Sequence, residues 1–482
     1  MAGRTCDPGR GSGIAACLAA LLLATTTPSA GETLRQTLAN AYRNNPRLDA
    51  ERARLRATDE EVPRAQAGYR PRITGEADTG HQRTSLRPDQ GTNGTSNPWG
   101  YGVNFTQPIF RGFRTVSAVS EAEANVRAGR EQLRNVEQQV LLDAATAYCD
   151  VVRDQAIVRL REHNVRVLSQ ELAATETRRS VKEVTRTDVA QARARRAKAI
   201  SQLDLAKANL KTSRANYERV VRLPPRSLTP PSPPKKNLPR SLDEALGIGE
   251  RESPNIVSAL YREQAARFTI YRIRGELLPE VRLEGSYSKR YDPSTSTSEQ
   301  DVGQITGRVS IPLYEGGETY ARVRQAKHTH VSRLQEIEQA RSEVQASVAQ
   351  AWSRYGAARA QLRSDLVQVE ANRIALMGVR EEERVGQRTL LDVLNAEQEL
   401  LDAQVQLSTT RRDLVVAAYG VLAQVGRLSV TDLGLTDEAY DPEAHYEEVR
   451  NKWFGLDITR PGGRTERVDV TLDSDPEWII DK

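Results

Sequence analysis

Two threonine–aspartate pairs of identical spacing are the first residues here that could do chemistry. They are Thr185-x-x-Asp188 and Thr389-x-x-Asp392, each member 204 positions from its counterpart. The spacing is that of a capping box, in which a hydroxyl and a carboxylate satisfy free N–H groups where a helix begins. Arg388 adjoins the second pair and by itself reads as an ordinary exposed cation. Other chemistry is sparse. The sequence has no Gly-rich phosphate loop, Cys/His metal spacing or nucleophile elbow, so neither an enzyme nor a cofactor is expected. His328 and His330 stand two apart on a predicted helix and do not share a face. The run Arg193–Arg196, set among Ala, Gln and Asp, reads as a solvated helix face.

What positions these residues is not a thick globular core. The 482 residues are 38% apolar and 28% charged, with only 5 Phe and 2 Met, and mean hydropathy is −0.59. Thin seams of Ala, Val and Leu fit better. The net charge of +5 arises from interleaved signs, the pattern of solvated helices, which argues against a nucleic-acid partner. Arg4 and Arg10, the apolar stretch Ile14–Ala24 and the small residues that follow read as a secretory signal peptide over residues 1–30, cut after Ala30 or Gly31. Cys17 lies inside that apolar stretch, which argues against lipid attachment, and Cys149 is then the one cysteine left. The longest nearly apolar run, Leu414–Ala423, is half of the roughly 20 residues a spanning helix needs. The mature chain is therefore either soluble outside the cytoplasm or crosses a membrane as a closed β-barrel.

The chain repeats itself. Asn45-Pro46 is echoed by Ser253-Pro254, and Pro71 by Pro279, at an offset of 208; Gln107–Gly112 is echoed by Ile311–Gly316, and Thr187-Asp188-Val189 by Leu391-Asp392-Val393, at 204. This is a tandem duplication of residues 31–222 and 241–428, joined by a Pro-rich linker, 223–240, and followed by a tail, 429–482. Each half opens with a predicted helical pair, Leu34–Asn44 with Pro46–Gly68 and Leu242–Arg251 with Pro254–Leu278. Two strand-like segments, a very long helix, a sharp break and a shorter helix follow. Leu133, Val136, Val140, Ala144, Ala147 and Val151 keep coiled-coil spacing, as do Val344, Val348, Ala351 and Tyr355 after Val331 and Leu334. The proline-free stretch from Phe113 to about Ser180 would form a rod on the order of 100 Å long.

The strand-like segments have barrel length and two unlike faces. Val281, Leu283, Gly285 and Tyr287 alternate with Arg282, Glu284, Ser286 and Ser288; Trp99, Tyr101, Val103 and Phe105 alternate with Gly100, Gly102, Asn104 and Thr106; Ile305 and Val309 alternate with Gln304 and Arg308. Two soluble hairpins packed on helices would show the same alternation. Four strands, however, cannot close a barrel and would leave their edges unpaired, whereas three copies could close one.

The segments LRQTLANAYRNNPRL (34–48), QPIFRGFRT (107–115), EVTRTDVAQARA (183–194) and VGQRTLLDVLNAEQELLDAQ (385–404) resemble the outer-membrane efflux protein (TolC) family, in family order and across both halves. The resemblance implies a mixed α and β fold: a long coiled-coil helical tube in the periplasm and an outer-membrane β-barrel of four strands per protomer, twelve in a homotrimer. It implies a passive exit duct for efflux or type I secretion. Its partners would be outer-membrane lipid, a periplasmic adaptor and an inner-membrane transporter, either a proton-driven (RND) pump or an ATP-binding-cassette (ABC) exporter. It further implies that the helix tips Val181–Asp188 and Val385–Asp392 form a closed iris. Arg388 of one tip would bond Thr187 and Asp188 of another, and Asp392 would form an acidic constriction around the axis. The turns Val181, Lys182, Glu183 and Val385, Gly386, Gln387 would meet the adaptor.

Three positions depart from the family pattern. A second acidic ring position is Asn395, a tyrosine position five residues before Arg388 is Glu383, and the turn glycine kept as Gly386 is Lys182 in the first half, which is strained if the turn needs φ > 0. A soluble periplasmic coiled-coil scaffold is the competing reading, but it leaves four barrel-length strands at duplicated positions without a purpose. Membrane fractionation separates the two: the duct should be recovered from the outer membrane as a detergent-stable oligomer, and a soluble periplasmic monomer would reject it.

Overall fold

Helix-compatible apolar spacing and strand alternation divide the chain into elements that a computed structural model describes for residues 31–459 and 465–466, apart from 86, 89–92, 235–236 and 437–438. The signal-peptide reading of 1–30 and the end of the tail lie outside the described residues. The first half contains α1 (Leu34–Asn44), α2 (Pro46–Asp59), α3 (Glu61–Gln66), β1 (Arg72–Thr79), the short β2 (Gln82–Thr84) and β3 (Gly94–Ser96), β4 (Trp99–Arg111), α4 (Arg114–Ser180) and α5 (Arg186–Val221). The second contains α6 (Leu242–Glu252), α7 (Pro254–Arg274), β5 (Glu280–Ser294), β6 (Thr297–Ser310), α8 (Glu318–Arg384) and α9 (Leu390–Gln424). The tail adds α10 (Val430–Leu433), α11 (Ala444–Val449), β7 (Ile458–Thr459) and β8 (Thr465–Glu466).

The expected helix Pro46–Gly68 is broken at Glu60. Pro63 has no N–H to give the carbonyl of Asp59, and its ring crowds that carbonyl, so α2 stops and α3 begins afresh. The long helices have no such break, and α4 and α8 each run for 67 residues. The first-half seam from Leu133 to Val151 is buried throughout, as are Val344 and Val348. Val331 and Leu334 do not join it; they are 52% and 42% exposed on α8. The main core packs Leu38, Leu48, Leu141, Tyr148, Val151 and Tyr217 of the first half against Val415 and Leu422 of α9, so the two halves share it. Each such Leu or Val contributes about 1.5–3 kcal/mol on burial.

The linker adds to this core rather than skirting it. Leu228 packs on the cluster, and a parallel bridge joins Glu32 to Leu228. The buried Tyr148 hydroxyl lies 2.8 Å from the Glu32 carbonyl and 2.7 Å from that of Thr229, pinning both strands to α4. The tail straps the first-half helices by polar and aromatic contacts. Arg52 stacks on Tyr42 and Tyr440, Arg130 pairs with Glu443, and Arg70 covers Trp453. His445 and Asp59 form a buried pair 2.9 Å apart. Trp453 is held on one face by Arg70 and otherwise half exposed, whereas its neighbour Phe454 is 86% exposed.

The four long strands form one antiparallel sheet in the order β1-β4-β5-β6, with the halves joined at β4–β5, while β2–β3 and β7–β8 pair separately. Register fixes the faces. Ile73 lies opposite Phe105, Phe105 opposite Gly285, Gly285 opposite Ile305, and Val281 opposite Val309. One face is therefore mostly apolar, with Trp99, Tyr101, Tyr287 and Tyr291 toward one end, where Trp99 and Tyr291 stack at 4.2 Å and Lys289, Glu299 and Asp301 share the face. The other carries Thr74, Asn104, Glu284, Ser286, Gln304 and Arg308. A bulge at Pro108, which has no N–H for the ladder, shifts parity and sets Phe110 opposite Val281.

Each sheet segment enters its rod through two successive left-handed residues, Gly112 (φ 57°) with Phe113 (φ 62°), and Gly316 (φ 65°) with Gly317 (φ 86°). Gly112 also presses backbone to backbone against Gly275, so that a side-chain carbon on either would strike the other's carbonyl oxygen. Gly112→Ala should therefore destabilise the junction by at least about 2 kcal/mol, read as a lower unfolding temperature of the detergent-purified protein. Phe113→Gly should be tolerated.

Candidate functional site at the hairpin tips

The chain turns from α4 into α5, and from α8 into α9, by the same device. In the first tip the amides of Lys182 and Glu183 donate to the carbonyls of Arg179 and Arg178, each at 3.0 Å; in the second those of Gly386 and Gln387 donate to Glu383 and Glu382, each at 2.9 Å. Both turns need a left-handed residue. Gly386 adopts φ 78° at no steric cost, whereas Lys182 adopts φ 64° with a side chain, so the first tip keeps the shape and carries the strain. Val181 and Val385, beside these turns, are 62% and 70% exposed.

Both capping boxes form. The Thr185 amide and hydroxyl each donate to Asp188 at 2.8 Å, and the Asp188 amide returns a bond to Thr185. Thr389 donates to Asp392 from its amide at 3.0 Å and from its hydroxyl at 2.8 Å. These two donors, aided by the Arg388 charge, hold the Asp392 carboxyl below the ordinary carboxylate range. Asp392 thus stays anionic at neutral pH, and its cap is lost only as pH falls through that lowered value.

Arg388 bonds Glu382 of its own hairpin at 2.8 Å. Among the described residues it contacts neither Thr187 nor Asp188 of the same chain. Asn395 accepts a 2.7 Å bond from Arg195, which ties α5 to α9. The Arg193–Arg196 run is accordingly not simply a solvated face: Arg193 pairs with Glu176 and Arg196 reaches Ser169, both on α4. Glu383 meets Arg178 at 2.8 Å, joining the last turns of α4 and α8. Nearby, burial raises the Glu171 carboxyl, with Glu397 adding to the effect, and Glu397 is itself bound by Arg380. The Arg178 and Arg195 contacts escape a reading of single motifs. The repeat offset was the available signal, because residues about 204 apart stand at the same height on parallel rods.

The family model described as outer membrane efflux protein matches residues 37–220 and 250–427, once per half. The chain is 39% identical to the outer membrane efflux protein BepC of Brucella suis over 434 residues, which span 90% of this chain and 93% of that one. It is 25% identical to the outer membrane protein TolC of Vibrio cholerae, over 83% of this chain and 92% of the other. It shares 25% identity with the alkaline protease secretion protein AprF of Pseudomonas aeruginosa, over 69% and 70%. Among solved structures, the CmeC outer membrane channel of Campylobacter jejuni superposes with a TM-score of 0.75 at 16% identity, over 87% of this chain and 89% of that one. The chain belongs to the outer membrane efflux protein family and lies in the outer membrane with a periplasmic helical tube.

Proposed function

We propose that three copies of this chain close into an exit duct: a twelve-stranded barrel in the outer membrane continued by a helical tube whose six hairpin tips gate the periplasmic end. One observation carries this reading. Among the described residues, a four-stranded sheet with an apolar outer face leaves one edge of β1 and one of β6 without partners, and hydrocarbon offers their N–H and C=O groups none. Identical copies placed edge to edge satisfy both, and the polar face then lines an aqueous lumen. The exposed apolar residues of α8, including Leu334, Val367, Ile374 and Met377, give the rods a matching surface to bury between copies.

The duct does no chemistry of its own; cargo moves under the work of an inner-membrane RND or ABC transporter. A periplasmic adaptor meets the turns at Val181–Glu183 and Val385–Gln387. Efflux is favoured over protein secretion, because the likeness to BepC is closer and covers more of the chain than that to AprF.

At the gate, Arg388 latches onto Thr187 and Asp188 of a neighbouring copy when it leaves Glu382. Asp392, three times around the axis, supplies an acidic constriction beside the neutral Asn395. Arg388→Ala should raise single-channel conductance severalfold in planar bilayers, and unchanged conductance would reject the latch. Asp392→Asn should lower the preference for cations measured from reversal potentials in a salt gradient. A preference unaltered by that change would place the constriction elsewhere.

A further inference from the structure

We propose that Arg72, Arg282 and Arg308, grouped on the polar face of the sheet at the end nearest the rods, form in the assembled duct a basic collar that binds carboxylate- or phosphate-bearing solutes on their way out. The proposal rests on the reading that three copies close a barrel around an aqueous lumen. Arg282 and Arg308 stand directly opposite each other on β5 and β6, an arrangement of like charges that weakens a sheet. One carboxylate serves both: Glu284 meets Arg282 at 2.5 Å and Arg308 at 2.9 Å. Along the row of Glu284, Arg72 faces Thr106, which faces Glu284 in turn, and among the described residues Arg72 forms no ion pair. One row nearer the rods, Glu280 is taken by both Arg111 at 3.6 Å and Arg114 at 2.7 Å, so it offsets none of the other arginines.

Strand pairing does not need these arginines. The repeat offsets carry Arg282 back to Thr74 and Arg308 back to Asn104, and those two face each other on β1 and β4 with no charge between them. The second hairpin thus sets cations at a cross-strand position where the first has neutral groups. Charge also changes sign along the polar face. Toward the loops it holds Glu76, Asp78 and Arg290, and because Arg290 bonds Asp78 at 3.2 Å, the surplus is negative. Toward the rods it holds Arg72, Arg111, Arg282 and Arg308 against Glu280 and Glu284, and the surplus is positive. Arg72 and Arg308 sit on the two edge strands, at the same end of the sheet. Closing copies edge to edge therefore brings both to each seam and joins the clusters into a ring. A water-filled passage ringed by cations concentrates anions, and the planar guanidinium fork matches the oxygens of a carboxylate or phosphate.

The test is block of single-channel current in planar bilayers by inositol hexakisphosphate, a soluble polyanion, added on the barrel side so that it reaches the collar without passing the tips. The parent should be blocked. Arg72→Gln with Arg308→Gln should need at least about tenfold more blocker, and its reversal potential in a salt gradient should move toward cation preference. Glu284 keeps Arg282 in that variant, so it should still be recovered from the outer membrane. Should it be missing there, Arg72→Gln alone, which breaks no ion pair, carries the test and should weaken block severalfold. Arg290→Gln, nearer the loops, should be blocked like the parent. If removing the collar arginines leaves block and reversal potential unchanged, or if Arg290→Gln weakens block as much, the collar is overturned while the duct stands. A purified protein that inserts no channels would overturn the duct and the collar with it.

Discussion

Backbone groups in hydrocarbon must be hydrogen-bonded by protein, and a sheet of four strands cannot meet that demand by itself. The remaining features follow from this constraint. The apolar face has to look outward and the polar face inward, and the β4–β5 and β5–β6 registers set Val103 with Tyr287, Phe105 with Gly285 and Ile305, and Val281 with Val309 on the same face. The long helices must leave the sheet along one direction, which explains why both halves use two consecutive left-handed residues at the strand-to-helix passage. The duplication supplies two hairpins and two rods per chain, so each copy contributes a repeating arc.

Much of this was legible in the sequence because it is local or periodic. Ten-residue alternation marks strands, 3–4 spacing marks the rods, and a constant offset near 204 marks the repeat. The long helix was placed within a residue of its observed start, since Gly112 and Phe113 end one pattern where the next begins. The capping boxes were readable for the same reason, as Thr and Asp three apart act on each other's amides. The break at Glu60 was also written in the chain, because Pro63 stands well inside the predicted helix Pro46–Gly68, where its missing N–H and its ring interrupt the ladder at the Asp59 carbonyl.

Contacts between rods were harder to read. Whether Arg195 meets water or Asn395 depends on the rotation of two helices whose phases accumulate over dozens of residues, and on which neighbour α5 acquires. The same holds for Glu383, which stands out in the sequence as a departure and acquires meaning only when Arg178 is found beside it. Arg388 is the converse case: its sequence neighbourhood suggests a distant partner, and within the chain it settles on Glu382, six residues away. The tail shows a further limit, for Trp453 and Phe454 are adjacent and equally aromatic, yet only the first meets a cation.

The pin formed by Tyr148, Glu32 and Thr229 bears on the order in which the molecule can be assembled. Glu32 lies at the start of the described chain and its bridge partner, Leu228, nearly two hundred residues later, while the same core also takes in Leu422 from the far end. Closing so long a loop carries an entropic cost that no local contact offsets, and topologies rich in distant pairings fold slowly. The pin itself closes within the first half and the linker, whereas the core around it is completed only when Val415 and Leu422 of α9 arrive from the second half.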